Sequence, residues 1–214
     1  QSFHTYGAIT RFEVGKPAWY FYGYKYTGID EATGNPTFAD LNDDNAITEA
    51  DKTMIGKGIA DMTYGITLTA AWKGLDLIVF GTGSYGAHIY SCLNRPDYTL
   101  NKLTYFVEDR WTPSHTKASM PRAGATDMDK YYTSSASVFD GSYFKIKQIQ
   151  LGYTFPQKWM KTIKVSNLRV YASLDDFFTF SDYPGFDPEV TNMGVDKGTF
   201  PTSKKVVAGV SITF

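Results

Sequence analysis

The stretch Asp40-Leu41-Asn42-Asp43-Asp44-Asn45-Ala46-Ile47-Thr48-Glu49-Ala50-Asp51 spaces oxygen-bearing side chains in a way that suits one kind of chemistry, the holding of a hard cation. Asp40, Asn42, Asp44, Thr48 and Asp51 fall at the first, third, fifth, ninth and twelfth positions, and Ala46 falls at the seventh, where only a backbone carbonyl is needed. This is the ligand spacing of an EF-hand loop, in which one segment supplies most of the roughly six to eight oxygens that calcium takes. Two residues depart from the pattern. Asn45 stands at the sharp bend where Gly is usual, although Asn tolerates a left-handed backbone next best. Asp51 replaces the bidentate Glu and is one methylene shorter. Three carboxylates drawn into one short loop repel each other without a cation, so the spacing predicts a structural calcium ion, with Ile47 packing inward as the loop closes. The plain alternative is a solvated Asp/Asn-rich turn.

Other chemistry finds little support. His4, His88 and His115 are scattered without metal-ligand spacing, and no Ser sits in a Gly-x-Ser-x-Gly elbow. Asp175 and Asp176 are adjacent, so a regular strand sends them to opposite faces and makes them a poor acid/base pair. No enzymatic activity is therefore expected. Asp187-Pro188-Glu189 could reach a ligand or partner from its loop, or simply fix that loop. Cys92 is the one cysteine, which excludes an internal disulfide. A formal net charge of -1 gives no general attraction to phosphate, so nucleic acid is not an expected partner.

The elements that must carry these groups are strands. Aromatic residues make up 16% of the 214 positions and charged ones only 20%, and no apolar run approaches the ~20 residues of a membrane-spanning helix. Alternating strands escape that test, because their two faces average to mild polarity. Residues 62–85 give the clearest hairpin: Met62, Tyr64, Ile66, Leu68, Ala70 and Trp72 alternate with Thr63, Gly65, Thr67, Thr69 and Ala71, and the alternation resumes at Leu75, Leu77 and Val79. A two-residue turn at Lys73-Gly74 sets Trp72 opposite Leu75, Ala70 opposite Leu77 and Leu68 opposite Val79. Lys is not ideal at the first position, which leaves room for a longer turn or a bulge. Tyr143–Phe155 and Asn167–Phe180 alternate in the same way. In the final strand, Lys205–Phe214, the residues Val206, Ala208, Val210, Ile212 and Phe214 share one face. Residues 1–29 are aromatic and extended, as a strand or an ordered loop. Residues 86–142 show little periodicity, with one short helix expected near Leu103–Trp111. Loop lengths alternate, short after Trp72 and Phe155, long after Tyr85 and Phe180. That asymmetry favours a transmembrane barrel over a soluble sandwich.

Several segments together resemble the C-terminal part of the SusC/RagA family, the TonB-dependent outer-membrane transporters of Bacteroidetes. They are Gly15-Lys16-Pro17 with Phe21-Tyr22-Gly23-Tyr24-Lys25 and Gly28-Ile29, the Asp40–Asp51 loop with Gly56, Tyr64-Gly65, and Trp72-Lys73-Gly74-Leu75-Asp76-Leu77. Further along come Arg110-Trp111, Pro121-Arg122, Asp140-Gly141-Ser142-Tyr143-Phe144-Lys145-Ile146-Lys147, Leu151-Gly152-Tyr153-Thr154-Phe155-Pro156 and Gly185-Phe186-Asp187-Pro188-Glu189. The series runs nearly end to end. The chain departs from the family where Asp176-Phe177-Phe178-Thr179 stands for a usual Asn-Leu-Phe-Thr.

The resemblance implies an all-β fold, the C-terminal antiparallel strands of a large barrel of roughly 22 strands with long extracellular loops. Plug, TonB-contacting segment and the remaining strands are then expected upstream, since the chain opens on Gln1 in mid-pattern. The implied setting is the outer membrane of a Gram-negative, Bacteroidetes-type bacterium, and the implied role is import of large nutrients such as glycans or oligopeptides. The implied partners are the rest of the barrel and plug, a SusD-like surface lipoprotein, TonB and the lipid bilayer. On this reading the short turns face the periplasm, 30–61, 86–142 and 181–204 lie outside, and Val210, Ile212 and Phe214 form the signal read by the barrel-assembly machinery. A secreted, calcium-stabilised β-sandwich that binds carbohydrate is the alternative.

Overall fold

Alternating sequence becomes sheet, and the long connections fold on themselves. The structure, a computed structural model, describes residues 9–93, 103–160, 165–190 and 193–214. In chain order, β1 (Thr10–Arg11), β2 (Tyr20–Tyr24), β3 (Tyr26–Ile29), β4 (Pro36–Phe38) and β5 (Lys52–Lys57) come first. The hairpin β6 (Met62–Trp72) and β7 (Leu75–Tyr85) follows. Then come β8 (His88–Ser91), α1 (Thr104–Glu108), α2 (Met128–Tyr132) and β9 (Val138–Asp140). The chain ends through β10 (Tyr143–Thr154), α3 (Gln157–Met160), β11 (Asn167–Ser181), β12 (Val195–Asp196) and β13 (Lys205–Thr213).

Two compact units result. One comprises residues 61–85, 142–182 and 201–214 and is a single antiparallel sheet in the order β13-β11-β10-β7-β6. Its hairpin register is the expected one, with Trp72 opposite Leu75, Ala70 opposite Leu77 and Leu68 opposite Val79. The turn needs no extra residue: Lys73 and Gly74 both take positive φ, 47° and 89°, the primed geometry whose twist matches the strands. Of the short connection at 156–166, residues 157–160 form α3, and 161–164 lie outside the described residues.

The other unit comprises residues 1–60, 86–141 and 183–200. Its small sheets are β1-β2-β5, β12-β8-β9 and β3-β4. Ile9, Phe21, Tyr90, Cys92 and Val195 form its core, with Ile55 and Val138 packed against it. The aromatic run near residue 20 is thus strand rather than loop, with Tyr20 and Phe21 essentially fully buried. The helix expected near Leu103–Trp111 is α1. Residues 86–142 hold more order than their sequence suggests, because β8 and β9 pair with each other and β8 pairs in parallel with β12.

Candidate functional site

The two faces of the five-stranded sheet differ in chemistry along every strand. On one face, cross-strand partners form apolar rows: Leu68, Val79, Ile149, Leu174 and Val206, then Ala70, Leu77, Leu151, Ala172 and Ala208. The row nearest the short turns is Trp72, Leu75, Tyr153, Val170 and Val210, and toward the other end lies Tyr64, Gly83, Phe144 and Phe180. Tyr64 and Phe144 stack across Gly83 with rings 6.1 Å apart and 3° from parallel. A Cβ on Gly83 would run into the Tyr64 ring, which is why this row has glycine between two aromatics. Rings therefore bound the apolar rows at both ends. Tyr64 and Trp72 are eight residues apart on β6, roughly 27 Å along a strand, which a tilt of ~40° shortens to about 20 Å, close to the apolar band of an outer-membrane barrel. The face is uncovered within its unit, with Leu68 64%, Leu151 53% and Val210 63% exposed.

The opposite face is mainly polar. Thr67, Phe80, Gln148, Asp175 and Lys205 form one row, and Ala71, Asp76, Gly152, Tyr171 and Gly209 another. In the second row Arg169 reaches across β10 to Asp76, with Nε donating to Oδ1 at 3.1 Å and Nη2 to Oδ2 at 2.5 Å. The guanidinium passes over Gly152, and its Cζ lies 5.2 Å from the Tyr171 ring centroid. A register shift interrupts β10 and β11 between Ile146 and Gln148. There Asp176 takes a positive φ of 58° and its Oδ1 lies 3.4 Å from Lys147 Nζ, while Asp175 accepts from the Ser173 hydroxyl at 2.9 Å. The regular alternation that would set Asp175 and Asp176 on opposite faces does not hold at this bulge. Asp is among the non-glycine residues that tolerate such a left-handed position.

The Asp40–Asp51 loop closes through carboxylate-to-amide bonds. Asp51 is fully buried, its Oδ1 accepting from the Leu41 amide at 2.8 Å and its Oδ2 from the Thr48 amide at 2.7 Å. Those amides hold its carboxyl below the usual carboxylate range. Thr48 caps the short helical turn 49–51, completing a capping box with Asp51. Asp44 Oδ1 accepts from the Ala46 amide and Asp40 Oδ2 from the Asn45 amide, each at 2.8 Å. Asp43 and Asn45 take the left-handed backbone, at 59° and 61°, and Ile47 is half-buried. Asp40 Oδ1 is buried with no hydrogen-bond partner, which is the lone pair a cation would satisfy. Among the described residues no three His, Cys, Asp or Glu side chains are grouped to hold one ion. A calcium ion here would draw on the neutral oxygens of Asn42, Ala46 and Thr48 as well as on carboxylates.

Asp187 and Glu189 lie in a turn in which Asp187 Oδ1 accepts from the Glu189 amide at 3.0 Å, and Phe186 beside them is 63% exposed. Val210 and Ile212 belong to the apolar face of β13, and Phe214 follows one residue beyond the strand. Sequence reasoning missed the Arg169–Asp76 pair and the ring stack over Gly83. A glycine on an otherwise alternating strand was their only trace.

No family model matches the chain. It is 30% identical over 222 residues to TonB-dependent receptor P3 of Formosa agariphila, covering 91% of this chain and 22% of that protein. It is 28% identical over 198 residues to TonB-dependent receptor SusC of Bacteroides thetaiotaomicron, covering 89% of this chain and 19% of that one. A structure of the RagAB peptide transporter superposes with a TM-score of 0.82 at 26% identity, over 96% of this chain and 24% of the other. A RagAB peptide importer in a closed-closed state gives 0.81 at 25% identity. The chain spans about a fifth of the length of these curated relatives.

Proposed function

From the premise that this chain belongs to the SusC/RagA family of TonB-dependent receptors, we propose that it supplies five adjacent wall strands, and the surface loops they carry, to an outer-membrane importer of large nutrients. The observation that carries this reading is the set of apolar rows running in register across the whole sheet. One apolar face against lipid and one polar face toward a lumen is the alternation a transmembrane barrel requires. A secreted sandwich would need a second layer over the apolar rows. Glycans or oligopeptides are the cargo class we infer, with a SusD-like lipoprotein as outer partner and TonB acting through upstream parts of the protein.

In this reading calcium orders the surface loop, held by Asp40, Asn42, Asp44, Thr48 and Asp51 with the Ala46 carbonyl. The ion would neutralise carboxylates that the loop already gathers, and the buried Asp40 oxygen supports its presence. Asp187 and Glu189 are assigned to a loop available to cargo or partner, and Val210, Ile212 and Phe214 to the assembly signal.

The test is accessibility in the full-length receptor reconstituted in lipid. Single cysteines at Leu151 and Ala172 should, once spin-labelled, respond to a lipid-soluble relaxant, and those at Gln150 and Ser173 to a water-soluble one. Equal response to the water-soluble reagent at all four positions would refute the barrel wall.

A further inference from the structure

The end of the sheet bearing the short turns gathers rings and lysines. Trp72 and Tyr153 share the last apolar row. Tyr153 meets Phe155 edge-on at 5.0 Å, and Phe155 in turn lies 6.2 Å from Trp159. Both tryptophans are open, Trp72 at 66% and Trp159 at 57% exposure. Lys73 Nζ stands 4.7 Å from the Trp72 ring centroid, and Lys158 is exposed beside Trp159.

Among the described residues neither Lys73 nor Lys158 is ion-paired to a carboxylate. The sequence from Tyr153 to Leu168 contains no Asp or Glu. The nearest carboxylate on β7, Asp76, falls in a row of the opposite face and is held by Arg169.

We propose that Lys73 and Lys158, framed by Trp72 and Trp159, form a binding surface for the headgroups of anionic phospholipids. The proposal rests on the apolar face being lipid-facing, as inferred above. Indole rings settle at headgroup depth because one edge is apolar and the other polar. A lysine beside such a ring lays its stem along apolar surface and lifts its ammonium to the phosphate level. The cation seated on the Trp72 ring is thus placed where an anionic headgroup arrives, and the absence of nearby carboxylates leaves its charge uncompensated. Each lysine near an anionic bilayer surface is worth roughly a fivefold preference over a zwitterionic one.

The experiment uses the full-length receptor in phosphatidylcholine vesicles containing a fixed minor fraction of brominated phosphatidylglycerol or, in parallel, brominated phosphatidylcholine. The emission of Trp72 is read as the difference between the receptor and its Trp72→Phe variant. Quenching by brominated phosphatidylglycerol should exceed that by brominated phosphatidylcholine at the same fraction. Lys73→Gln should cut the excess roughly fivefold, and Lys73→Gln with Lys158→Gln should abolish it, while Lys25→Gln with Lys117→Gln leaves it unchanged. Equal quenching by both lipids, or an excess that survives the double substitution, overturns the headgroup surface and leaves the barrel reading intact. No quenching by either lipid overturns both.

Discussion

Gly152→Ala should destabilise the receptor, although removing a glycine from a strand ordinarily helps. Gly152 does not take a positive φ, so backbone entropy alone would reward Ala by about 0.5–1 kcal/mol. An added Cβ, however, would sit 2.6 and 2.7 Å from the two Asp76 carboxylate oxygens and closer still to Arg169 Nη2. The ion pair must open or the strands must part. Hydrogen bonds to charged groups are worth about 1.5–3 kcal/mol, but the two side chains are 26% and 28% exposed, and solvent screening reduces that. A loss of about 1–2 kcal/mol for the pair, set against the entropic gain, leaves a net destabilisation of about 1 kcal/mol. In an Asp76→Ala, Arg169→Ala background there is nothing to strike, and the same Gly152→Ala should stabilise by about 0.5–1 kcal/mol. The sign reversal is the signature. Urea midpoints of the full-length receptor in detergent, read as the fraction that still migrates as folded barrel on unheated gels, measure it. If Gly152→Ala raises the midpoint equally in both backgrounds, the ion pair does not lie across that glycine.

Chelation of calcium should loosen the Asp40–Asp51 loop and speed its proteolysis on intact cells, with recovery at about 10⁻⁴–10⁻³ M calcium; Asp40→Asn should remove that response, and cleavage indifferent to calcium in both proteins would leave the amide-bonded turn as the full account. Acidification should open the segment between Asp109 and Met120. The Ser119 hydroxyl, His115 and the Ser119 amide hold Asp109 at about 2, below its ordinary value. The stabilisation is therefore complete above about pH 4 and lost as pH falls toward about 2. Pepsin cleavage there, normalised to an unfolded peptide, should rise across that window in the receptor but stay high throughout in Asp109→Asn. A flat profile in both would show that the Asp109 contacts do not order the segment.

The five wall strands were legible because a sheet with one apolar and one polar face writes its period into each strand separately. β6 and β7 carry the expected bounds, β10, β11 and β13 differ by a residue, and no knowledge of partners was needed. The oxygen spacing of Asp40–Asp51 was readable for the same local reason, as a spacing and not as a bound ion. What Asp51 does with its oxygens was not, since its amide partners at Leu41 and Thr48 depend on how the loop closes. β8 was invisible because Ile89, Tyr90 and Ser91 are all buried, which erases alternation, and its partner β12 lies about a hundred residues away. The bulge left a trace that is readable afterwards: Lys147 and Gln148 are consecutive polar residues in a strand that otherwise alternates.

The pairing of β8 with both β9 and β12 has a consequence for how the long connections can change. Tyr24 bridges to Ser134, the Tyr26 amide donates to the Ser135 hydroxyl, and the Tyr90 amide donates to the Gly194 carbonyl at 2.8 Å, so three excursions separated in sequence share one folded body. Grafting a single loop from another receptor would strand unpaired edges and buried hydroxyls in the two left behind. A tolerated exchange should therefore move all three together, or be confined to exposed positions such as Phe186 and Phe200, 63% and 86% exposed.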